Sequence, residues 1–203
     1  MGLEKVTLKK MKIGITGGIG SGKTFICNII TKMGFPVFYS DLEAKWLMEN
    51  DEALITELKE LIGDEAYNKE QKINKQIIAN FIFENPNNRF KINDLVHPKV
   101  FDHFNNWCLQ YDATTLSFNE SALLFETGSY KRFDKTILIT APFETRVSRI
   151  KSRDNLTDAE IQNRIQSQLA DEEKIKLADY LINNTYDELL LPKIASIIHQ
   201  LTL

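Results

Sequence analysis

Residues 17–24 combine four glycines with a lysine and a hydroxyl side chain at fixed spacing. The stretch reads G-G-I-G-S-G-K-T and matches the pattern G-x-x-x-x-G-K-[ST]. Glycines let backbone N–H groups turn inward around an anion, and a helix that follows adds the positive end of its dipole. In such a loop Lys23 reaches the β- and γ-phosphates of a nucleoside triphosphate, and Thr24 offers a hydroxyl to Mg²⁺. The residues that we expect to contact the nucleoside triphosphate here are Gly18, Gly20, Ser21, Gly22, Lys23, Thr24 and, through its N–H at the α-phosphate, Phe25.

The segments on either side of this loop predict a strand, then the loop, then a helix. Residues 12–16 are short and apolar, and apolar side chains recur at helical spacing over 24–33. Gly34 ends that helix, and residues 36–39 read as a second buried strand. This order is the βαβ pattern of a parallel sheet. It is the context that a functional phosphate loop requires, and it disfavours a chance match.

The rest of the chain predicts a helical stretch followed by more strands. Pro86 suits the first turn of a helix that runs toward residue 110 and is interrupted near Pro98, and no strand is expected in 41–111. Thr157 and Glu160 form a capping box. Further helices are predicted at 42–61, 74–83, 142–152, 155–176 and 186–200, and further strands at 114–119, 135–140 and 180–182.

Asp41 directly follows the second predicted strand. In open parallel sheets ligands bind at the carboxyl ends of the strands, so a carboxylate there could receive the proton of an attacking hydroxyl. With a pKa near ~4 it is a weak base, and its main work would be to align the nucleophile. The alternative is that Asp41 caps a helix that starts at Leu42. Both roles stay open at this level.

Three arginines are spaced to share one face of the helix predicted at 142–152. Arg146, Arg149 and Arg153 are three and then four residues apart. A guanidinium that closes onto the γ-phosphate would stabilise its charge, whereas the alternative is an ordinary solvated face. The polar segment 155–176 has few large apolar residues, so we expect it to pack loosely and to move. Arg164 is a further candidate.

Composition and charge narrow the class of protein. The net charge is −3, so no basic excess favours nucleic acid as a partner. No apolar run approaches membrane-spanning length, and residues 1–10 lack the apolar core of a secretory signal. Cys27 and Cys108 form no CxxC pair and read as reduced thiols. We expect a cytoplasmic protein, without membrane or nucleic-acid partners, that acts as a monomer.

The phosphate loop does not indicate which reaction the bound nucleotide undergoes. The guanine motif N-K-x-D is not met, because residues 68–71 and 74–77 lack its final Asp. A small phosphate-loop protein with a helical insert and a late Arg-bearing helix looks like a small-molecule kinase. The alternatives are a nucleoside or nucleotide kinase of similar build and a nucleotide-dependent switch that acts on a partner.

Several segments, in order, resemble the dephospho-CoA kinase family over about 11–184. Besides the loop and Asp41, L-V-H-P at 95–98, L-L-F-E at 123–126, Arg149 with Arg153 and Asp154, and A-D-Y at 178–180 with Asn184 match its motifs. The chain departs from the family at Tyr39, where a first acid is usual, at Phe25 and Ala122, and at Glu120, where Asp is common. The first departure leaves Asp41 as the candidate base.

The resemblance implies an α/β fold, the three-layer fold of P-loop kinases with a five-stranded parallel sheet, a helical substrate-binding insert and a lid. The chain would form one kinase unit, 1–203, with core 11–41, 112–143 and 177–203, a CoA-binding region 42–111 and a lid 144–176. It would transfer the γ-phosphoryl group of ATP, with Mg²⁺, to the ribose 3′-hydroxyl of dephospho-CoA in the last step of coenzyme A biosynthesis. The implied catalytic residues are Asp41, Lys23, Arg149 and Arg153. Arg149, Arg153 and Asn184 would also bind ATP, and Asp41, His97 and Glu126 would bind the acceptor. Thr24 would hold Mg²⁺, with Glu120 acting through water. A structural role for His97 and a capping role for Glu126 stay open.

Overall fold

The computed structural model describes residues 10–111, 116–154 and 156–203, in two compact units. One unit holds the described residues up to Phe38 and those from Tyr111 onward, and the other is Tyr39–Gln110. The first ten residues of the sequence, apart from Lys10, and the core boundary predicted at 112 lie outside the described ranges.

A five-stranded sheet forms the centre of the first unit and confirms the predicted α/β sheet. Its spatial order is β2-β3-β1-β4-β5, and the pairs β1–β3, β1–β4 and β4–β5 are parallel. The central strands are buried on both faces and read as apolar runs, as parallel strands do. The bounds are β1 Met11–Thr16, β2 Val37–Tyr39, β3 Leu116–Glu120, β4 Lys135–Thr140 and β5 Tyr180–Asn183. Residues 114 and 115 of the predicted third strand lie outside the described ranges.

The helices connect these strands and fill the second unit. The described residues contain α1 Lys23–Lys32, α2 Ser40–Asn50, α3 Glu52–Ile62, α4 Lys75–Glu84, α5 Pro86–Cys108, α6 Phe143–Arg153, α7 Asp158–Gln166, α8 Asp171–Leu177 and α9 Leu190–Thr202. The capping box at the start of α7 is confirmed, because Thr157 and Glu160 exchange side-chain and backbone hydrogen bonds. None of these helices combines the length and the apolar character that crossing a bilayer requires.

Two helical predictions in the first unit need correction. The closing helix begins at Leu190 rather than at 186, so 185–189 forms a loop after β5. The segment predicted as one helix over 155–176, of which residue 155 lies outside the described ranges, forms α7 and α8 with a break between them. Ala170 is the N-cap of α8, and three acidic residues fill its first turn, which favours a new helix start there.

The described residues of the second unit are mostly helical; its strand residues are Tyr39, the last residue of β2, and an isolated bridge joins Tyr67 to Ile73. The helix predicted over 42–61 is two helices, because the side chain of Asp51 accepts from the N–H of Leu54 and caps α3. The predicted interruption near Pro98 is wrong, since α5 runs through it. Pro98 leaves the carbonyl of Asp94 without its helical partner, but both residues face solvent, where water can take that bond.

Candidate active site

The phosphate loop leaves the end of β1 and enters α1, as the sequence predicts. Gly22, the N-cap of α1, has φ 90°, a conformation that side-chain-bearing residues rarely adopt, and a Cβ there would overlap the amide nitrogen of Asn184. Gly20 has φ 80°, and a Cβ on it would lie 2.7 Å from the carbonyl oxygen of Arg146. Glycine is therefore needed at both positions so that other chain segments can approach the loop closely.

Lys23 is held at this loop. Its Nζ donates to the carbonyl of Gly17 at 2.9 Å and lies 3.9 Å from Oε1 of Glu120, at the end of β3. The side chains of Lys23 and Glu120 are only 13% and 9% exposed, so the pair is shielded from water. The same surroundings act on Cys27, whose pKa is raised to about 12 by burial first and by the charge of Glu120 second.

Asn184 and Arg149 join the loop after β5 to the phosphate loop. The side-chain amide of Asn184, which is 4% exposed, donates to the carbonyl of Ser21 at 2.8 Å. Arg149 donates from Nη1 to the same carbonyl at 3.2 Å and from Nη2 to the backbone carbonyl of Asn184 at 3.1 Å. The structure thus brings together Ser21, Gly22, Arg149 and Asn184, four of the residues predicted to contact ATP.

A cavity of about 640 Å³ opens beside this junction. Phe25 and Arg149 line one side, and the loop after β5 with the start of α9 lines the other. Tyr186 and Leu189 there are 90% and 77% exposed, which is unusual for large apolar side chains. Helical periodicity did not predict this wall, because it placed 186–189 in a helix. Pro192 was the available signal, since proline is tolerated in a first helical turn and so favours a helix start close to it.

The three arginines of α6 do not form one exposed stripe. Arg146 is 6% exposed, donates from Nε to the carbonyl of Ile19 at 2.9 Å, and pairs with Asp171 at 3.2 Å. Arg153 is 64% exposed at its side chain and pairs with the neighbouring Asp154 at 2.8 Å. The three arginines follow the predicted helical spacing, but their side chains have different surroundings. Arg146 supports the loop, whereas Arg153 faces solvent.

Glu126 contacts the end of the segment predicted as a lid. Its Oε1 accepts from the N–H of Leu169 at 3.1 Å and lies 2.9 Å from Nζ of Lys174, a side chain with no exposed surface. Among the described residues its Oε2 is buried without a hydrogen-bond partner. The expectation of a loosely packed segment therefore fails for 168–174, which is anchored by a buried ion pair.

Asp41 and His97 belong to the second unit. Asp41 lies in the first turn of α2, whose N-cap is Tyr39. The alternative of Asp41 as the N-cap is therefore wrong, although a carboxylate in the first turn still favours the helix dipole. His97 is partly exposed on α5, and α2 packs against α5.

The charges and donors around the phosphate loop suit a polyphosphate. The loop is glycine-rich, α1 points its positive end at it, and the side chains of Lys23 and Arg149 contact its carbonyls. Thr24 is exposed at the start of α1, and the carboxylate of Glu120 lies 3.9 Å from the ammonium of the preceding residue, Lys23. Hydroxyl and carboxylate oxygens are ligands that suit Mg²⁺, which usually takes one or two protein groups together with phosphate oxygens. The residues present therefore fit a nucleotide with Mg²⁺.

Comparison with known proteins assigns this chain to a family. Residues 11–188 match the family model described as dephospho-CoA kinase. A dephospho-CoA kinase from Bacteroides fragilis is 38% identical over 188 residues, which cover 93% of this chain and 91% of that protein. A solved structure from Thermus thermophilus has a TM-score of 0.84 at 31% identity, with 96% and 100% of the two chains covered. The dephospho-CoA kinase from Campylobacter jejuni has a TM-score of 0.67 at 26% identity, with 94% and 96% covered. On these grounds, and with a phosphate loop built as described, the chain belongs to the dephospho-CoA kinase family.

Proposed function

We propose that the chain transfers the γ-phosphoryl group of ATP to the ribose 3′-hydroxyl of dephospho-CoA and so forms CoA and ADP, the last step of coenzyme A biosynthesis. The observation that carries the choice of acceptor is the family match over residues 11–188, which runs from β1 past β5. It is supported by identity of 38% to a relative that bears this activity in its name.

In this proposal ATP occupies the phosphate loop and the adjoining cavity of about 640 Å³. The phosphates would take N–H groups of the loop other than those of Ile19 and Ser21, which are bonded within the protein. They would also take the ammonium of Lys23, which lies at the loop. The nucleoside would enter between Phe25 and the exposed Tyr186, whose apolar faces suit a base. Arg149 and Asn184 would hold the junction between the phosphate loop and the cavity.

Thr24 and Glu120 are the residues that would hold Mg²⁺, Glu120 through water. When bound, the metal would neutralise charge on the β- and γ-phosphates. Lys23 would stabilise the charge that spreads over the γ-phosphoryl group during transfer, where fixed charges count most. Arg153 would add a guanidinium from the solvent side of α6, after leaving its pairing with Asp154.

On the acceptor side, Asp41 would orient the 3′-hydroxyl and receive its proton late in the transfer, because a carboxylate is too weak a base to remove it early. The proposal gives His97 and Glu126 a role at the acceptor and treats 42–111 as the CoA-binding region and 144–176 as the lid.

The test is an ADP-release assay with dephospho-CoA and with a panel of nucleosides, nucleotides and small hydroxy acids, each with and without Mg²⁺. We expect ADP in proportion to dephospho-CoA, 3′-phosphorylation of the product by mass spectrometry, and loss of turnover in EDTA. A stronger response to a nucleoside would favour a nucleoside kinase, and ADP release without any acceptor would favour a switch. We also propose that the protein acts as a monomer in the cytoplasm, without a nucleic-acid partner. Light scattering on a sizing column tests whether it is a monomer.

A further inference from the structure

One peptide of the phosphate loop is held by a side chain from outside the loop. The N–H of Ile19 donates to Oε1 of Gln168 at 2.8 Å. Gln168 lies in the short connection between α7 and α8, far away in sequence and partly buried. No motif of the family resemblance includes it, and hydrophobic periodicity gives no reason to single it out.

The planarity of the peptide bond makes this contact more informative than a single hydrogen bond. In a trans peptide the C=O and the N–H point in opposite directions, so fixing one fixes the other. The carbonyl of Gly18 belongs to the same peptide as the N–H of Ile19, and it accepts from the N–H of Ser21 at 3.1 Å. Gln168 and Ser21 therefore hold the Gly18–Ile19 peptide from its two ends.

The next peptide is fixed in the same way from the other side. The carbonyl of Ile19 accepts from Nε of Arg146 at 2.9 Å. The N–H of Gly20, which shares that peptide, must point away from Arg146, and Gly20 takes the positive φ of 80° that this arrangement needs. Two consecutive peptides of the loop are thus oriented by the side chains of Arg146 and Gln168.

Gln168 is itself held in place. Its neighbour Leu169 donates to Glu126, which pairs with the fully buried Lys174 at 2.9 Å. Asp171, three residues on, pairs with Arg146 at 3.2 Å. A side chain that is anchored on both flanks loses little further freedom when it holds the loop, so its hydrogen bond can serve orientation.

We propose that Gln168 is a positioning residue for nucleotide binding: it takes up the N–H of Ile19, fixes the Gly18–Ile19 peptide and so holds the path of the loop whose other N–H groups receive the phosphates. The inference rests on the proposed function, since it gives the phosphate loop its nucleotide. A loop that is already oriented pays no reordering cost on binding, whereas a loop with this peptide free to rotate does. The same phosphates are bound before and during transfer, so the effect falls on nucleotide affinity and not on the rate of the bound complex.

The test is calorimetric titration of Gln168→Met with ADP and with a non-hydrolysable ATP analogue, both with Mg²⁺. Methionine has a similar length but no amide oxygen to accept the bond. Loss of one such bond corresponds to roughly threefold to tenfold weaker nucleotide binding. In turnover we expect KM for ATP to rise by the same factor, with kcat and KM for dephospho-CoA within about twofold of wild type.

Gln166→Met is the matched control, because Gln166 is exposed in the last turn of α7 and has the same side chain. It should bind nucleotide as the wild type does. Gln168→Ala repeats the test with a smaller side chain, and thermal melting shows that each variant is folded. A merely structural role would lower the melting temperature and leave the affinity of the folded protein unchanged.

Wild-type nucleotide affinity in folded Gln168→Met and Gln168→Ala would overturn the inference. So would an equal loss in Gln166→Met, or a parallel rise of KM for both substrates. The nucleotide titrations need no acceptor, so the two proposals fail separately. A wild-type protein that binds ATP but does not phosphorylate dephospho-CoA would contradict the proposed function and leave the role of Gln168 standing.

Discussion

Lys23 and Glu120 lie side by side under the phosphate loop, with Nζ and Oε1 separated by 3.9 Å. The same Nζ donates to the carbonyl of Gly17 at 2.9 Å, so the ammonium is positioned by the loop that it serves. Because both side chains are nearly buried, the attraction of Lys23 for a phosphate is little weakened by solvent.

Lys23→Ala should nearly abolish turnover while the fold survives. The positive charge is worth most when negative charge spreads over the γ-phosphoryl group, and loss of such a group typically costs on the order of a hundredfold to a thousandfold in kcat. Initial rates of ADP release and a circular-dichroism melt measure the two effects. Lys32→Ala, at the exposed end of the same helix, is the control. Near-normal turnover in a folded Lys23→Ala protein would contradict the role given to the loop.

Asp41→Asn should lower kcat by on the order of a hundredfold, with ATP affinity little changed. The amide keeps the shape of the side chain but cannot receive a proton from the acceptor. Steady-state kinetics with both substrates and a titration of ATP separate the two quantities. Asp102→Asn removes an exposed carboxylate from α5 and should leave both unaltered. An unchanged kcat in Asp41→Asn would reduce Asp41 to a favourable charge in the first turn of α2.

Arg153→Ala should lower kcat far more than it weakens ATP binding. The guanidinium pairs with Asp154 at an exposed position, so its removal should change the stability of the folded protein little. Arg153→Lys should rescue turnover only in part, because lysine keeps the charge and loses the planar fork. Single-turnover rates with saturating ATP test this, with Lys151→Ala as a control on the same helix. Wild-type rates in both Arg153 variants would show that this arginine belongs to an ordinary solvated surface.

Cys27 should resist alkylation in the folded protein, whereas Cys108 reacts. Burial raises the pKa of the Cys27 thiol to about 12, so almost no thiolate exists at pH 8, and the side chain has no exposed surface. Cys108 is partly exposed. Peptide mapping after brief treatment with iodoacetamide should find the label at Cys108, and Cys108→Ser should remove the fast-reacting thiol. Rapid labelling of Cys27 in native protein would contradict the packing described beneath the loop.

Asp179→Asn should destabilise the sheet in a pH-dependent way. Burial raises the pKa of Asp179, but bonds from Lys135 and from Thr136 outweigh it, so the net pKa lies below its ordinary value. A lowered folded-state pKa stabilises the protein above the unfolded pKa of about 4, and this contribution disappears as pH falls through the folded pKa. Urea unfolding should show a loss of roughly 1 kcal/mol at pH 7 that shrinks toward pH 3. A pH-independent difference would contradict a role for the charge, and Asp187→Asn provides an exposed control.

Much of the first unit could be predicted because its elements have strong local signals. The strand, loop and helix around Lys23 were placed within a residue or two, since glycines and an apolar run leave few alternatives. The break at Asp51 and the late start of α9 were missed because boundaries depend on single caps, which a periodicity argument averages out. Pro98 led to the wrong prediction of a helix break. Proline destabilises a helix little where the carbonyl that loses its partner faces water.

The sequence predicts those site residues that belong to a motif, but not those whose position depends on packing. Spacing placed Arg146, Arg149 and Arg153 on one helical face, but spacing cannot show that Arg146 is buried under Ile19 while Arg153 faces solvent. Likewise nothing local marks Gln168, because its contact joins segments distant in sequence. Such residues become visible only when the chain has been brought together.

The order of the strands also fixes the order in which the sheet can be built during synthesis. The first strand has its partners late in the chain, where Met11 pairs with Leu116 and Ile13 with Lys135. The whole of Tyr39–Gln110 therefore leaves the ribosome before either neighbour of β1 exists. Its helices can contact one another as soon as they are made. The strand that contains the apolar Ile13 and Ile15 has no partner strand until later, and its pairing must then close a long loop. In a nascent chain the strand that leads into the phosphate loop is thus in more need of protection from aggregation than the helical unit.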